Sequence, residues 1–302
     1  MYPLEKGMRR RSIEWLAIAV FLLFINSSVA SDVSGSSPRK LLRLVQEERA
    51  VNVPIFDDIL GGVLSPKTRL NLRKWFKQEK SADEVLTLLK LDDGVEGLLS
   101  RRNMKGLKKY ITWLNLKNPD GPPVTMVETL ATKYGDDLVA KMLELGKRSK
   151  SSRAKKLAKT LQDEQYRVWN NKGQHPQQVF SILRLDDADT LPLGSTVLEA
   201  WVGYKVWHPS TKTTTFGAFR KAYGDRRLAS YLYGASMVPQ TKDVAKSMQE
   251  ELFTFWIKKH IHPDDMFTRA FKINPEQVTP TEMKIKLLYD AFYYWAPKTI
   301  NK

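Results

Sequence analysis

Four histidines are the first place to look for chemistry in this sequence. His260 and His262 stand two residues apart, with Asp264 and Asp265 just behind them, a grouping from which a metal could draw ligands. His175 and His208 have no such neighbours, and no second ligand pair occurs, so no metal centre is expected. His262-Pro263 reads instead as a helix entry. Asp-Asp pairs at 92–93, 136–137, 186–187 and 264–265 are the remaining acid/base material. They fall near inferred helix ends, where carboxylates cap turns. There is no phosphate-cradling glycine loop and no nucleophile elbow. No acid, base and nucleophile come together, so neither catalytic residues nor a cofactor are expected, and the chain is not read as an enzyme.

Charge is the stronger signal. Lys147, Arg148, Lys150, Arg153, Lys155, Lys156 and Lys159 lie within 13 residues. Lys147, Arg148, Lys155 and Lys156 are candidates for a nuclear import signal; the plainer alternative is the solvated face of a helix. No aromatic residues interleave with these cations for base stacking, which weighs against nucleic acid as a partner. The whole chain carries +16, a balance that favours acidic partners.

The N-terminus has the build of a secretory leader. Lys6, Arg9, Arg10 and Arg11 precede an apolar run of 11 residues, Trp15 to Ile25, and Ser28-Val29-Ala30 supplies a small-x-small cleavage site. Eleven residues are too few to span a bilayer as a helix, and no later stretch is apolar enough to do so. Residues 1–30 hold four basic and two acidic side chains, so their removal from a chain of +16 leaves +14. There is no cysteine. The folded part is therefore held by its core alone, which suits a reducing compartment.

Helical spacing punctuated by Pro and Gly runs through the rest, and no strand alternation is evident. Capping patterns mark helix starts: Ser81 with Glu84, and Thr279-Pro280 with Glu282. The pattern repeats at long period. Trp75, Trp169 and Trp256 are each followed, ten residues on, by an apolar pair: Val85-Leu86, Val179-Phe180 and Met266-Phe267. Tyr110, Tyr204 and Phe292 follow the same tryptophans by 35, 35 and 36 residues, each three residues before another Trp. A Tyr-Gly-Asp segment, at Tyr134 and at Tyr223, precedes the second and third tryptophans only. The recurrent rings Trp75, Tyr110, Trp169, Tyr204, Trp256 and Phe292 are read as core, with Phe292 keeping the ring and losing the hydroxyl. Tyr134, Leu138, Tyr223 and Leu228 are expected at joints between copies, with Leu138 buried.

Between leader and repeats lies Ser34-Gly35-Ser36-Ser37-Pro38, then Lys40-Leu41-Leu42-Arg43, then Glu47-Glu48-Arg49. Together with the leader and the tandem Trp/Tyr units, these residues make the chain resemble an oomycete RxLR effector of the WY/LWY type. Lys40 replaces the family's first Arg and keeps charge without the planar fork; the Glu-Glu-Arg is intact. The resemblance implies an all-α fold in which three WY/LWY helical bundles form a stiff rod behind a signal peptide and a disordered translocation segment. The expected division is 1–30 signal, 31–54 translocation segment, 55–120 WY unit, 121–210 and 211–302 LWY units. It also implies a secreted virulence protein that enters plant cells, reaches cytoplasm and nucleus, and binds host proteins to alter immunity and cell death. Some multi-unit relatives recruit a host phosphatase. A nuclear polyanion binder and an extracellular interaction protein are the alternatives.

Overall fold

The computed structural model describes residues 64–92, 94, 97–187, 192–208 and 213–295, all within the compact unit 62–302. The leader and the motif residues Lys40, Leu41, Leu42, Arg43, Glu47, Glu48 and Arg49 lie outside the described residues. What is described is helical, without a strand. No helix among these residues is long and apolar enough to cross a membrane.

The helices start where short polar side chains can replace missing backbone partners. Ser65 caps α1 (Pro66–Lys77), with Pro66 in the first turn. Ser81 and Glu84 form a reciprocal box on α2 (Ala82–Leu88). After α3 (Asn103–Lys117), Thr125 caps α4 (Met126–Tyr134), which is followed at once by α5 (Asp136–Lys147). Ser151 caps the long α6 (Ser152–Asn171), and Pro176 opens α7 (Pro176–Ile182). Ser195 caps α8 (Thr196–Trp207), and Thr214 caps α9 (Thr215–Ala235). After α10 (Lys242–Lys258), Pro263 opens a single 3-10 turn that leads into a π-turn, Met266–Ala270. Thr279 and Glu282 box the start of α11 (Pro280–Trp295) through bonds in both directions.

Helix ends repeat as faithfully as the tryptophans. Residues with φ near +55° to +70° occur four residues after each Trp, at Glu79, Gly173 and His260. They occur again at Lys90, Arg184 and Lys272, after each short helical segment. At five of these turns the flanking N–H groups bond back in the paired Schellman pattern, as Lys80 to Trp75 and Glu79 to Phe76 do. The sixth turn carries the extra residue of the π-turn, so Ile273 reaches Phe267. Among the described residues, all five non-glycine residues with positive φ sit at these turns, each at a cost of roughly 1–2 kcal/mol.

Each copy is thus a Trp helix, a tight turn, a short helical segment, a second tight turn and a Tyr helix. The second and third copies add a broken helix in front. Gly135 (φ 87°, ψ 152°) separates α4 from α5, and Gly224 (φ 70°, ψ 168°) breaks α9 at the matching place. α5 packs on α6 and α8, and α9 packs on α10 and α11. One continuous buried cluster runs from Ala140 through Trp201, Phe219 and Trp256 to Tyr289, so the second and third copies share a core.

The turn geometry carries a stability expectation. Lys90 is exposed with φ 55°. Lys90→Gly should raise stability by about 0.5–1 kcal/mol, the strain relieved less the added chain entropy. A thermal melt checks it.

Candidate functional site: closed turns and joints

The recurring chemistry is a phenol hydroxyl on a backbone carbonyl. After each first turn the chain leaves one carbonyl without a helical partner, at Lys80, Gln174 and Ile261. Tyr110 Oη donates to Lys80 O at 2.6 Å, Tyr204 Oη to Gln174 O at 2.5 Å, and Tyr289 Oη to Ile261 O at 2.6 Å. All three rings are fully buried.

Tyr289 corrects the reading that put Phe292 in this place. The third copy gains one residue at its π-turn, and its path from Ile273 to the Tyr helix is three residues shorter than the path from Leu185 to Tyr204. A fixed offset from the Trp therefore lands one helical turn too far along. Phe292 matches Trp113 and Trp207, packs on Phe253 at 5.6 Å, and leaves Trp295 88% exposed. The hydroxyl is kept in all three copies.

The tryptophans divide two against one. Trp169 and Trp256 are buried and meet their tyrosines edge to face, at 5.2 and 5.1 Å between ring centres. Their indole N–H groups donate to Asp136 (2.8 Å) and Asp225 (2.9 Å), the aspartates of the Tyr-Gly-Asp segments. The first copy has no such segment, and Trp75 is only half-buried. There Phe76 and Trp113 pack on the tyrosine, with Phe76 edge-on to Tyr110 at 6.0 Å. Trp75 is therefore not the core ring its spacing suggested.

The same segments reach backwards. Tyr134 Oη donates to Leu91 O, and Tyr223 Oη donates to Leu185 O at 2.7 Å and to Asp187 O at 3.1 Å. Leu91 and Leu185 are the residues just past the second tight turn of the preceding copy. Phe219 adds an edge contact to Phe180 at 5.2 Å and stacks with Tyr223 and Tyr231. One short motif thus binds the previous copy through its Tyr, bends at its Gly, and holds its own Trp through its Asp.

Leu138 requires a second correction. It is 42% exposed, whereas Val139, Ala140 and Leu143 are fully buried. Counted from the tyrosines, Leu228, also fully buried, matches Val139, and Leu138 matches Arg227. One residue turns a side chain by about 100° on a helix, enough to move it from core to water.

The histidines and cations are also placed. Among the described residues no three His, Asp or Glu side chains gather as a metal would need. His208 is buried against Tyr204 and His175, while His262 lies over Tyr293. Lys147 pairs with Glu144 at 2.5 Å and Arg148 with Glu199. Lys155 and Lys156 are exposed on α6. The indole-binding role of Asp136 and Asp225 was missed in the sequence, although a Gly-Asp recurring 33 and 31 residues before two tryptophans was a usable signal.

No protein-family model matches the chain. The RxLR effector protein PSR2 of Phytophthora sojae is 31% identical over 201 residues, which is 65% of this chain and 30% of that protein. PSR2 of Phytophthora infestans is 32% identical over 64% of this chain and 26% of its own length. Another Phytophthora infestans RxLR effector protein is 25% identical over 80% of this chain and 69% of its own. The chain is a relative of the Phytophthora RxLR effectors. It spans less than a third of the length of the PSR2 proteins. The crystal structure of PcRxLR12 superposes with a TM-score of 0.55 at 23% identity, covering 94% of this chain and 69% of that one. That likeness shows an all-α fold in common.

Two measurements test the closed turns in this RxLR effector relative. Burial pushes the hydroxyls of Tyr110, Tyr204 and Tyr223 up to about 12 from an ordinary 10. A raised folded-state value means that the folded form holds its protons longer than the unfolded chain. Stability should then be level below pH 10 and fall as pH rises from 10 towards 12, seen as a drop in denaturant midpoint. Trp169→Ala should cost roughly 3–5 kcal/mol, and Tyr204→Phe about 1–3 kcal/mol by leaving the Gln174 carbonyl unpaired, both read by calorimetry.

Proposed function

We propose that this protein is a secreted pathogen effector that enters plant cells and acts by binding host proteins, without catalysis, to alter immunity and cell death. The observation that carries this reading is the scaffold itself. Three copies keep the same buried turn-closing tyrosine while their exposed positions differ. Repeats that preserve a core and vary a surface are suited to recognition rather than turnover. Relatedness to RxLR effector proteins supports the same reading.

On this reading residues 1–30 are the leader, and 31–54 carry the delivery motif Lys40-Leu41-Leu42-Arg43 with Glu47-Glu48-Arg49. Residues 55–120, 121–210 and 211–302 are the binding units. Trp169, Tyr204, Trp256 and Tyr289 hold the cores, and Tyr134 and Tyr223 hold the joints. Units fastened in this way present surfaces that run across two copies, at less ordering cost than separate units would incur. A host phosphatase subunit is among the partners that family resemblance suggests.

The site of action is proposed to be host cytoplasm and nucleus. A tagged chain starting at residue 31, expressed in plant cells, should divide between the two compartments. Replacing Lys147, Arg148, Lys155 and Lys156 by Gln should lower the nuclear fraction in fluorescence images. Because Lys147 and Arg148 are ion-paired, a Lys155/Lys156 double variant separates loss of the signal from loss of those pairs. An unchanged nuclear fraction in both variants assigns this run another role.

A further inference from the structure

The corner between the broken helix and the Trp helix differs sharply between the second and third copies. Aligned on Trp169 and Trp256, residues 147–159 correspond to residues 234–246. The second copy places Lys147, Arg148, Lys150, Arg153, Lys155, Lys156 and Lys159 in that window, with no acidic residue. The third places Lys242 and Lys246 against Asp243, with Met237 and Val238 exposed. The same scaffold position thus folds without the cations, and the fold does not require them.

The cations are also poorly served where they stand. Lys147 and Arg148 have acidic partners. Lys150, Arg153, Lys155, Lys156 and Lys159 are all exposed, and none forms an ion pair among the described residues. Four of the five lie in the N-terminal half of α6, whose first turn holds no acidic residue. Arg153 and Lys155 stand in that first turn, where the partial positive charge of the helix end disfavours cations; Lys156 and Lys159 lie beyond its reach. The four cover the side of α6 opposite the buried Ala154, Ala158 and Leu161, over about 9 Å from Arg153 to Lys159.

We infer that this corner of the second copy is a docking surface for an acidic segment of a partner protein, one that sets carboxylates on the five free cations. The inference rests on the reading of the chain as a protein-binding scaffold and names the chemistry of one partner. No exposed aromatic ring stands among the cations to stack on bases, so an acidic protein segment fits better than single-stranded nucleic acid.

Fluorescence anisotropy of the purified protein provides the test. The probes are a short labelled peptide of alternating Glu and Leu, its Gln-for-Glu counterpart, and a short DNA duplex. One variant changes Lys150, Arg153, Lys155, Lys156 and Lys159 to Gln. A control changes Lys221, Lys242, Lys246, Lys258 and Lys272 to Gln and removes the same net charge elsewhere. The acidic peptide should bind in a salt-sensitive way, and the first variant should weaken it about tenfold or more, while the control changes it less than about threefold. The Gln peptide should bind neither form. Equal losses in both variants would reduce the effect to net charge and overturn the proposal. Tighter binding of the duplex than of the peptide, lost in the first variant, would overturn it in favour of nucleic acid. Unchanged thermal unfolding of both variants excludes misfolding. Failure here leaves the effector reading standing, because localisation and host binding in plant cells are read separately.

Discussion

Every copy depends on one hydrogen bond, from a buried tyrosine to the carbonyl left open by a left-handed turn. A helix that stops abruptly has carbonyls without partners, and the Schellman turn satisfies only some of them. The next carbonyl, at Lys80, Gln174 or Ile261, is met by the hydroxyl of a buried tyrosine. A phenol on the third helical segment reaches it from about thirty residues away. That bond fixes the height and rotation of the Tyr helix against the Trp helix, and it places the aromatic rings edge to face. Losing it would expose a cost that a purely apolar core does not carry, since a buried carbonyl without a donor is penalised in full.

The joints apply the same solution a second time. Another tight turn leaves another carbonyl, at Leu91 or Leu185, and a tyrosine from the following copy donates to it. The bond within a copy and the bond between copies are therefore one chemical device used at two turns. The Gly-Asp that follows each joint tyrosine explains why the motif stays together. Gly135 and Gly224 take a backbone conformation closed to other residues, and the next carboxylate drops onto the indole of its own Trp helix. A joint that binds the previous core and the next one couples their stabilities through a few side chains.

The repeat was legible in the sequence because large rings recur at helical spacing, and the caps at Ser81 and Thr279 were legible because their partners lie three residues away. The tight turns were not, since Glu79, Lys90, Arg184, His260 and Lys272 give no glycine signal for their positive φ. Phase was the weakest inference. A path shortened by three residues and a π-turn lengthened by one are invisible to a count from the Trp, which reaches Phe292 and not Tyr289. Leu138 and Val139 are both apolar, and only the packing of α5 on α6 and α8 decides which faces inward. Hydrogen bonds between residues far apart in sequence, such as Asp136 with Trp169, carry no local periodicity at all.

A scaffold held by backbone carbonyls and a few rings places little demand on its outer residues. The Tyr helices illustrate this. Lys108, Val202 and Leu287 occupy one position in the three copies, two residues before the turn-closing tyrosine, with no effect on its bond. The corner before the Trp helix varies further, from unpaired cations to exposed Met237 and Val238. Arg153 and Lys155 stand at the positive end of a helix dipole with no acidic residue beside them in that turn, whereas the third copy sets Asp243 beside Lys242 in the first turn of α10. Positions that the fold leaves this free are the ones at which copies sharing a core can present different chemistry to a partner.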